Sequence, residues 1–307
     1  MPLLADVPLL SLRERADQMT APIFQLPPLF DVRAVVAPLA EQVDWGLTAV
    51  GMPDAWKQSQ GEGIVFALLD SGIDDDHPDL RDAIVTAKDF TGSRRAHQDL
   101  MGHGTHTAGT IGARRNNFGV VGGAPLGKLA IGKVLGDEGF GHDRQIVAGV
   151  VWAVDDAKAH VISMSLGSPE RSREIAAAVA YALSRNVLIV AAAGNEGRDN
   201  SVGYPAGEPG VLAVGATDKQ GRIAKFSSRG KQVLVCAPGV GIVSCAPGGG
   251  HREMSGSSMA CPLVAAAAGL VLSKHKQHGG KTPADTPAQV IEHIVRTARD
   301  KGPTGHD

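Results

Sequence analysis

The chain has 307 residues, a formal charge of −2, 39 glycines, only 4% aromatic residues and three cysteines. The near-neutral, mixed charge argues against a basic nucleic-acid surface or a polybasic membrane patch. An odd, sparse cysteine count argues against a disulfide framework, so Cys236 and Cys245 are expected unpaired. The length admits one large core or two small ones.

Residues 1 to about 42 differ from the remainder. They carry prolines in short apolar clusters, including Pro22-Ile-Phe-Gln-Leu-Pro-Pro-Leu-Phe30. Such a stretch favours extended backbone over helix. It is expected either as a disordered leader or as a segment lying in a groove. At the start, Asp6 and Pro8 interrupt the apolar run and charges follow it, unlike a secretory signal. No apolar run approaches the roughly 18 residues of a membrane span, and the expected compartment is the cytoplasm.

From Trp45 the pattern changes. A short helix is expected over 53–59. Continuous apolar runs follow at 63–70, 129–135, 161–166, 187–193, 211–216 and 233–236; runs of this kind read as strands buried on both faces. Helical stretches at 104–113, 143–159 and 172–184 lie between several of them, a small-residue helix is expected over 262–274, and the last helix over 287–299. This alternation predicts an α/β fold with a mainly parallel central sheet flanked by helices. Ligands of such sheets bind at the carboxyl ends of strands, where Asp70 and Asn195 fall.

Three stretches could carry chemistry: Asp70-Ser-Gly-Ile-Asp-Asp-Asp-His-Pro-Asp-Leu80, Gly102-His-Gly-Thr-His-Thr-Ala-Gly109 and Met254-Ser-Gly-Ser-Ser-Met-Ala-Cys-Pro262. Each has an ordinary reading. An acid after a buried strand is often a turn residue, paired histidines are often structural, and serine is a preferred helix N-cap. The HExxH pattern of zinc proteases is absent. Gly122-Gly-Ala-Pro-Leu-Gly-Lys128 scans like a phosphate loop, yet Leu129 stands where a hydroxyl must hold magnesium. The acid run at 74–76 lacks EF-hand spacing and is expected as a solvated turn. Together, however, the three stretches supply nucleophilic acyl transfer. A serine needs a base, a histidine can serve near neutral pH, and an acid must fix its tautomer. Asp70, His103 and one of Ser257 or Ser258 supply these groups in the order Asp…His…Ser, one of three unrelated triad orders.

On these motifs, with Ser163-Met-Ser-Leu-Gly167 and Ala192-Ala-Gly-Asn-Glu-Gly197 between them, the chain resembles the subtilisin-like serine proteases (subtilases) over roughly residues 45–299. In layout it resembles the intracellular members. The family pattern Gly-Thr-Ser-Met-Ala selects Ser258 as nucleophile. The resemblance implies a three-layer subtilisin-like fold and a serine endopeptidase of polypeptides, with Asn195 as oxyanion donor. It implies a peptide laid between two backbone edges, Gly136, Gly139 and Gly141 on one side, Ser165, Leu166 and Gly167 on the other. Ala192 and Gly194 would help wall the first pocket, and Gly203 would floor it, leaving room for a large apolar or aromatic side chain. A peptide-joining acyl transferase would share every catalytic residue, and a non-catalytic peptide-binding module is the rival from another class.

The family's calcium loop resembles 114–120 here. It implies Ca2+ held by Asp79, the side chain of Asn116 and the carbonyls of Arg114, Phe118 and Val120, with Glu41 or Gln42 completing the set. The division expected is 1–42 as an N-terminal extension and 43–307 as the catalytic domain. Secreted relatives carry a much longer prodomain, and 42 residues are too few for one. The extension is expected either to lie across the active site as an inhibitor or to remain a leader. Relatives also continue past the 297–303 region with another packed segment, so a trimmed domain or a surface meeting a partner is expected after Asp307.

Overall fold

The computed structural model describes residues 23–35, 40–277, 279 and 285–300. Two strands come from the extension, β1 (Ile23–Gln25) and β2 (Phe30–Val35). Short helices α1 (Trp45–Ala49) and α2 (Met52–Ala55) follow; α2 is the helix expected over 53–59, but it ends at Ala55, and α1 was not expected. The left-handed Gly51 (φ 74°) separates α1 from α2.

Next come β3 (Val65–Asp70), β4 (Ile84–Asp89), α3 (His103–Gly112), β5 (Lys128–Lys133), β6 (Phe140–His142), α4 (Asp143–Asp155) and β7 (Val161–Met164). The remainder is α5 (Arg173–Ser184), β8 (Leu188–Ala192), β9 (Leu212–Thr217), β10 (Val233–Pro238), β11 (Ile242–Ala246), β12 (Gly250–Ser255), α6 (Ser257–Gln277) and α7 (Pro287–Thr297).

The central sheet has the order β10-β9-β8-β7-β3-β5-β4, with every neighbouring pair parallel. Helices α3 and α6 pack together, as do α4 and α5. The two core clusters alternate along β3: Phe66 and Leu68 belong to one, Ala67 and Leu69 to the other. That is the period-two consequence of a strand buried on both faces. The fold is therefore the three-layer α/β arrangement expected. Chain order reverses at β3, with β5 on one side and β7 on the other. The carboxyl end of β3 thus opens a crevice at the switch point, the place where such sheets bind ligands.

Helix α6 meets the length and composition of a membrane span, contrary to the expectation from sequence. It is nonetheless a core helix, packed against β7, β8, β9 and β10. At Gly269 a Cβ would stand 2.1 Å from Cζ of Phe66, so glycine lets the helix approach the sheet.

Two features were not expected. β4 is an edge strand, half-exposed along most of its length, so it lacks the continuous apolar run that marks its neighbour β5. The antiparallel hairpin β11–β12 forms a second sheet with β2 of the extension. β12 contains His251, Arg252 and Glu253 and reads as polar in one dimension.

Candidate active site

Asp70 ends β3 and His103 opens α3. Asp70 Oδ1 lies 2.7 Å from His103 Nδ1, with both side chains buried. A carboxylate only accepts, so Nδ1 carries the proton and Nε2 keeps its lone pair. Asp70 also accepts from the Ser71 N–H at 2.7 Å and from the Thr107 hydroxyl at 3.2 Å. The two elements meet closely because Gly104 is bare. A Cβ there would stand 2.1 Å from the Gly72 carbonyl oxygen.

The amino end of α3 has free N–H groups, and Gly102 offers no side chain to cap them. Asp99 and Ser71 do so instead. Asp99 Oδ2 accepts from Thr105 N at 2.8 Å, Asp99 Oδ1 from Gly102 N at 2.8 Å, and Ser71 Oγ from Gly104 N at 3.0 Å. Sequence reasoning missed Asp99. Its signal was an acid four residues ahead of a helix-opening histidine.

His106 is structural. Its Nε2 lies between the carbonyls of Ile242 and Arg252 at 3.0 and 3.1 Å, joining α3 to the β11–β12 hairpin. Burial is the largest influence on this imidazole, whose pKa is lowered to about 3.

Ser258 stands in the first turn of α6. Pro262, four residues on, lacks the N–H that would bond the Ser258 carbonyl. The Ser165 hydroxyl fills that role at 2.9 Å, and in return Ser258 Oγ points at the Ser165 carbonyl, 3.3 Å away. His103 Nε2 is buried without a hydrogen-bond partner among the described residues. Asn195, after β8, accepts the Ser257 N–H through Oδ1 at 2.9 Å, which aims its Nδ2 outward. Ser257 Oγ accepts from Gly194 N at 3.2 Å. Ala192 ends β8, and Gly203 N donates to the Ala193 carbonyl at 3.1 Å. A Cβ on Gly203 would press on the Ser168 carbonyl at 3.2 Å.

The crevice is occupied by the chain itself. β1 pairs antiparallel with β6, placing Phe24 opposite Gly141 and Gln25 opposite Phe140. On its other side Gln25 exchanges two backbone hydrogen bonds with Gly167, at 3.1 and 3.0 Å. Leu26 N donates to the Gly139 carbonyl at 3.2 Å, and Gly136 N closes the facing turn onto Phe140 O at 2.7 Å. Phe24 is fully buried in the cluster that contains Leu135 and Leu166. Pro27 and Pro28 have no N–H, so strand pairing ends at Leu26. The Pro28 carbonyl accepts from Asn195 Nδ2 at 2.9 Å. Beyond it, Phe30 stacks on Phe226 at 4.8 Å and β2 joins β12. Residues 23–28 thus lie in the crevice, and 30–35 form an exposed edge strand on β12; residues 1–22 and 36–39 fall outside the described residues.

At the expected calcium loop, Asp79 Oδ1 accepts from Asn116 Nδ2 at 3.0 Å, and Glu41 Oε2 accepts from Asn116 N at 3.0 Å. Glu41 therefore faces the loop, while Gln42 pairs through its backbone with Gly119 and Val121. Two carboxylates and a carboxamide from three chain segments are a donor set that suits a hard cation. The Arg114 side chain turns away to the carbonyls of Pro125 and Asp82. The acid run is less solvated than expected: Asp74 accepts from Gly248 N, and Asp75 meets His97 and Gln98.

Residues 61–307 match the model of the subtilase family, Peptidase_S8. The chain is 42% identical over 264 residues to a subtilisin of Bacillus pumilus, covering 84% of this chain and 92% of that one. It is 42% identical over 264 residues to subtilisin E of Bacillus subtilis, covering 84% and 67%. It is 41% identical over 272 residues to an alkaline protease of Shouchella clausii, covering 88% and 68%. The chain belongs to the subtilase family and is a subtilisin-like serine endopeptidase that acts on polypeptides.

Proposed function

We propose that this endopeptidase works through Asp70, His103 and Ser258, with Asn195 as oxyanion donor, and that residues 23–30 hold it at rest. In the working state Ser258 Oγ turns from the Ser165 carbonyl to His103 Nε2. His103 takes the hydroxyl proton as Oγ attacks the peptide carbonyl carbon. Asp70 keeps the imidazole in the Nδ1–H tautomer and stabilises the imidazolium. Asn195 Nδ2 and the Ser258 N–H donate to the oxyanion. His103 then protonates the leaving amine, and water repeats the sequence on the acyl-enzyme.

The observation that carries this reading is the 2.7 Å contact of His103 Nδ1 with the buried Asp70, which leaves the base nitrogen Nε2 of the same ring without a partner among the described residues. The resting state is supported by the Pro28 carbonyl at Asn195 and by the serine hydroxyl turned to Ser165. Ser258→Ala should abolish burst-phase acylation; intact turnover in that variant would refute the assignment.

The same reading divides the chain into an inhibitory extension, 1–42, and a catalytic domain, 43–307, working in the cytoplasm. Gly203 and the 165–167 and 192–194 segments give the first pocket a preference for large apolar or aromatic residues. Calcium would be held by Asp79, Asn116, Glu41 and the carbonyls of Arg114, Phe118 and Val120. Bound there, it supplies positive charge that ties two acidic segments to the loop after α3. Removing it with a chelator should lower the melting temperature, and an unchanged melting curve would sink this part of the reading.

A further inference from the structure

Away from the crevice, three buried side chains with metal-ligating atoms converge: His77 in the loop after β3, Cys245 on β11 and His251 on β12. Their ligand atoms lie within 4.8 Å of one another. Cys245 and His251 are directly opposed in the hairpin register. The His77 and His251 rings meet edge to face, with centroids 5.4 Å apart and planes at 86°.

His251 is prepared in a particular way. Its Nε2 lies 2.9 Å from Asp79 Oδ2, with both side chains fully buried. The carboxylate accepts, so Nε2 carries the proton and Nδ1 presents a lone pair. Nδ1 is buried with no hydrogen-bond partner among the described residues. Leaving a buried polar atom unsatisfied is costly, and a cation would relieve it. A carboxylate holding the far nitrogen of an imidazole is the usual support behind a metal-ligating histidine. The ring is also wedged: a Cβ on Gly119 would stand 2.5 Å from its Nε2. Asp79 serves both neighbours, with Oδ1 toward Asn116 and Oδ2 toward His251.

We infer that His77, Cys245 and His251 form a site for a borderline-to-soft divalent transition cation, with Zn2+ as the type. Two imidazoles and a thiolate are the ligand types that select such ions over calcium. Bond lengths of about 2.0–2.3 Å require the ligands to draw in by about 1 Å. His77 now donates from Nε2 to the Gly250 carbonyl at 2.8 Å and accepts the Asp79 N–H on Nδ1 at 3.1 Å. Whichever nitrogen binds the ion gives up that contact. The Cys245 thiol releases its proton to solvent as the sulfur–metal bond forms. The site lies beneath the turn at 248–250, which Asp74 Oδ2 holds through the N–H groups of Gly248 and Gly249. A bound ion would tie the β3–β4 loop to the hairpin on which β2 of the extension rests.

The test is Co2+ titration of the full-length chain carrying Ser258→Ala, which prevents self-digestion, with Ca2+ saturating throughout. One equivalent of Co2+ should bind with a thiolate-to-cobalt charge-transfer band. Cys245→Ser should abolish the band, and His251→Gln should weaken binding at least tenfold. Zn2+ should displace the Co2+ and raise the melting temperature. Should Cys245→Ser not fold, the Cys236→Ser/Cys261→Ser double variant, with Cys245 its sole cysteine, must keep the band. A spectrum with oxygen and nitrogen ligation only, a band lost with Cys236 or Cys261 and not with Cys245, or no stoichiometric binding would overturn the inference.

Discussion

Asn195 Nδ2 donates to the carbonyl of Pro28 at 2.9 Å, while Oδ1 of the same side chain accepts the Ser257 N–H at 2.9 Å. One amide therefore links the extension to the helix that carries Ser258. The Pro28–Leu29 bond sits where a scissile bond is proposed to lie, yet the serine hydroxyl faces the Ser165 carbonyl. Two clamps hold the segment there, β1 on β6 with Phe24 in the core, and β2 on β12.

Loosening either clamp should release activity. Phe24→Ala removes a fully buried ring, a loss of about 3–5 kcal/mol in a packed site. Basal cleavage of a soluble peptide should rise at least tenfold, and deletion of residues 1–40 should raise it further. Unchanged rates in both variants, with no cleavage at the junction, would show that the extension is not inhibitory.

Asn195→Ala separates two roles. In enzyme freed of its extension it should lower kcat by about 10²–10³ with little change in KM, the size of effect already measured for this donor within the family rather than derived from this chain. In the full-length chain it should also loosen the extension, read as faster limited proteolysis at residues 26–30. A change in KM alone would mean that Asn195 binds substrate without stabilising the transition state.

Gly104→Ala tests the approach of α3 to the loop after β3. The added methyl would stand 2.1 Å from the Gly72 carbonyl oxygen, which is backbone and cannot swing aside. Overpacking of this kind costs about 1–3 kcal/mol, and the displacement falls between Asp70 and His103. The variant should melt lower, and its kcat should fall more than its KM changes. A variant with wild-type kcat would show that the contact does not set the carboxylate–imidazole distance.

His106 predicts acid lability with a defined sign. Burial lowers its pKa to about 3, against an ordinary value near 6.5. Between these values the unfolded chain binds a proton that the folded chain refuses. Stability therefore rises with pH across that window and is lost as pH falls from about 6.5 toward 3. Melting temperature measured across this range should fall with acidification, and His106→Gln should flatten the slope by up to one proton. An unchanged slope would remove His106 from the acid response.

The sequence alone determined the layered α/β class, because continuous apolar runs alternating with helical stretches admit little else. It also suggested the proposed chemistry, since Asp70, His103, Asn195 and Ser258 lie in short motifs whose residue types are the signal. It left the extension with two readings, as prolines in apolar clusters suit both a leader and a groove. Tertiary structure decided between them, because the unpaired backbone edges at 139–142 and Gly167 exist only once β3, β5 and β7 are assembled. Tertiary structure also supplied Ser165 as the donor for the carbonyl that Pro262 leaves without a helical partner, across 93 residues of chain. It brought His77 to Cys245 and His251, which local pattern could not pair because the cluster spans the β3–β4 loop and a hairpin more than 160 residues away. Local propensity and motif chemistry act over a few residues; close approach across the fold is fixed only by packing.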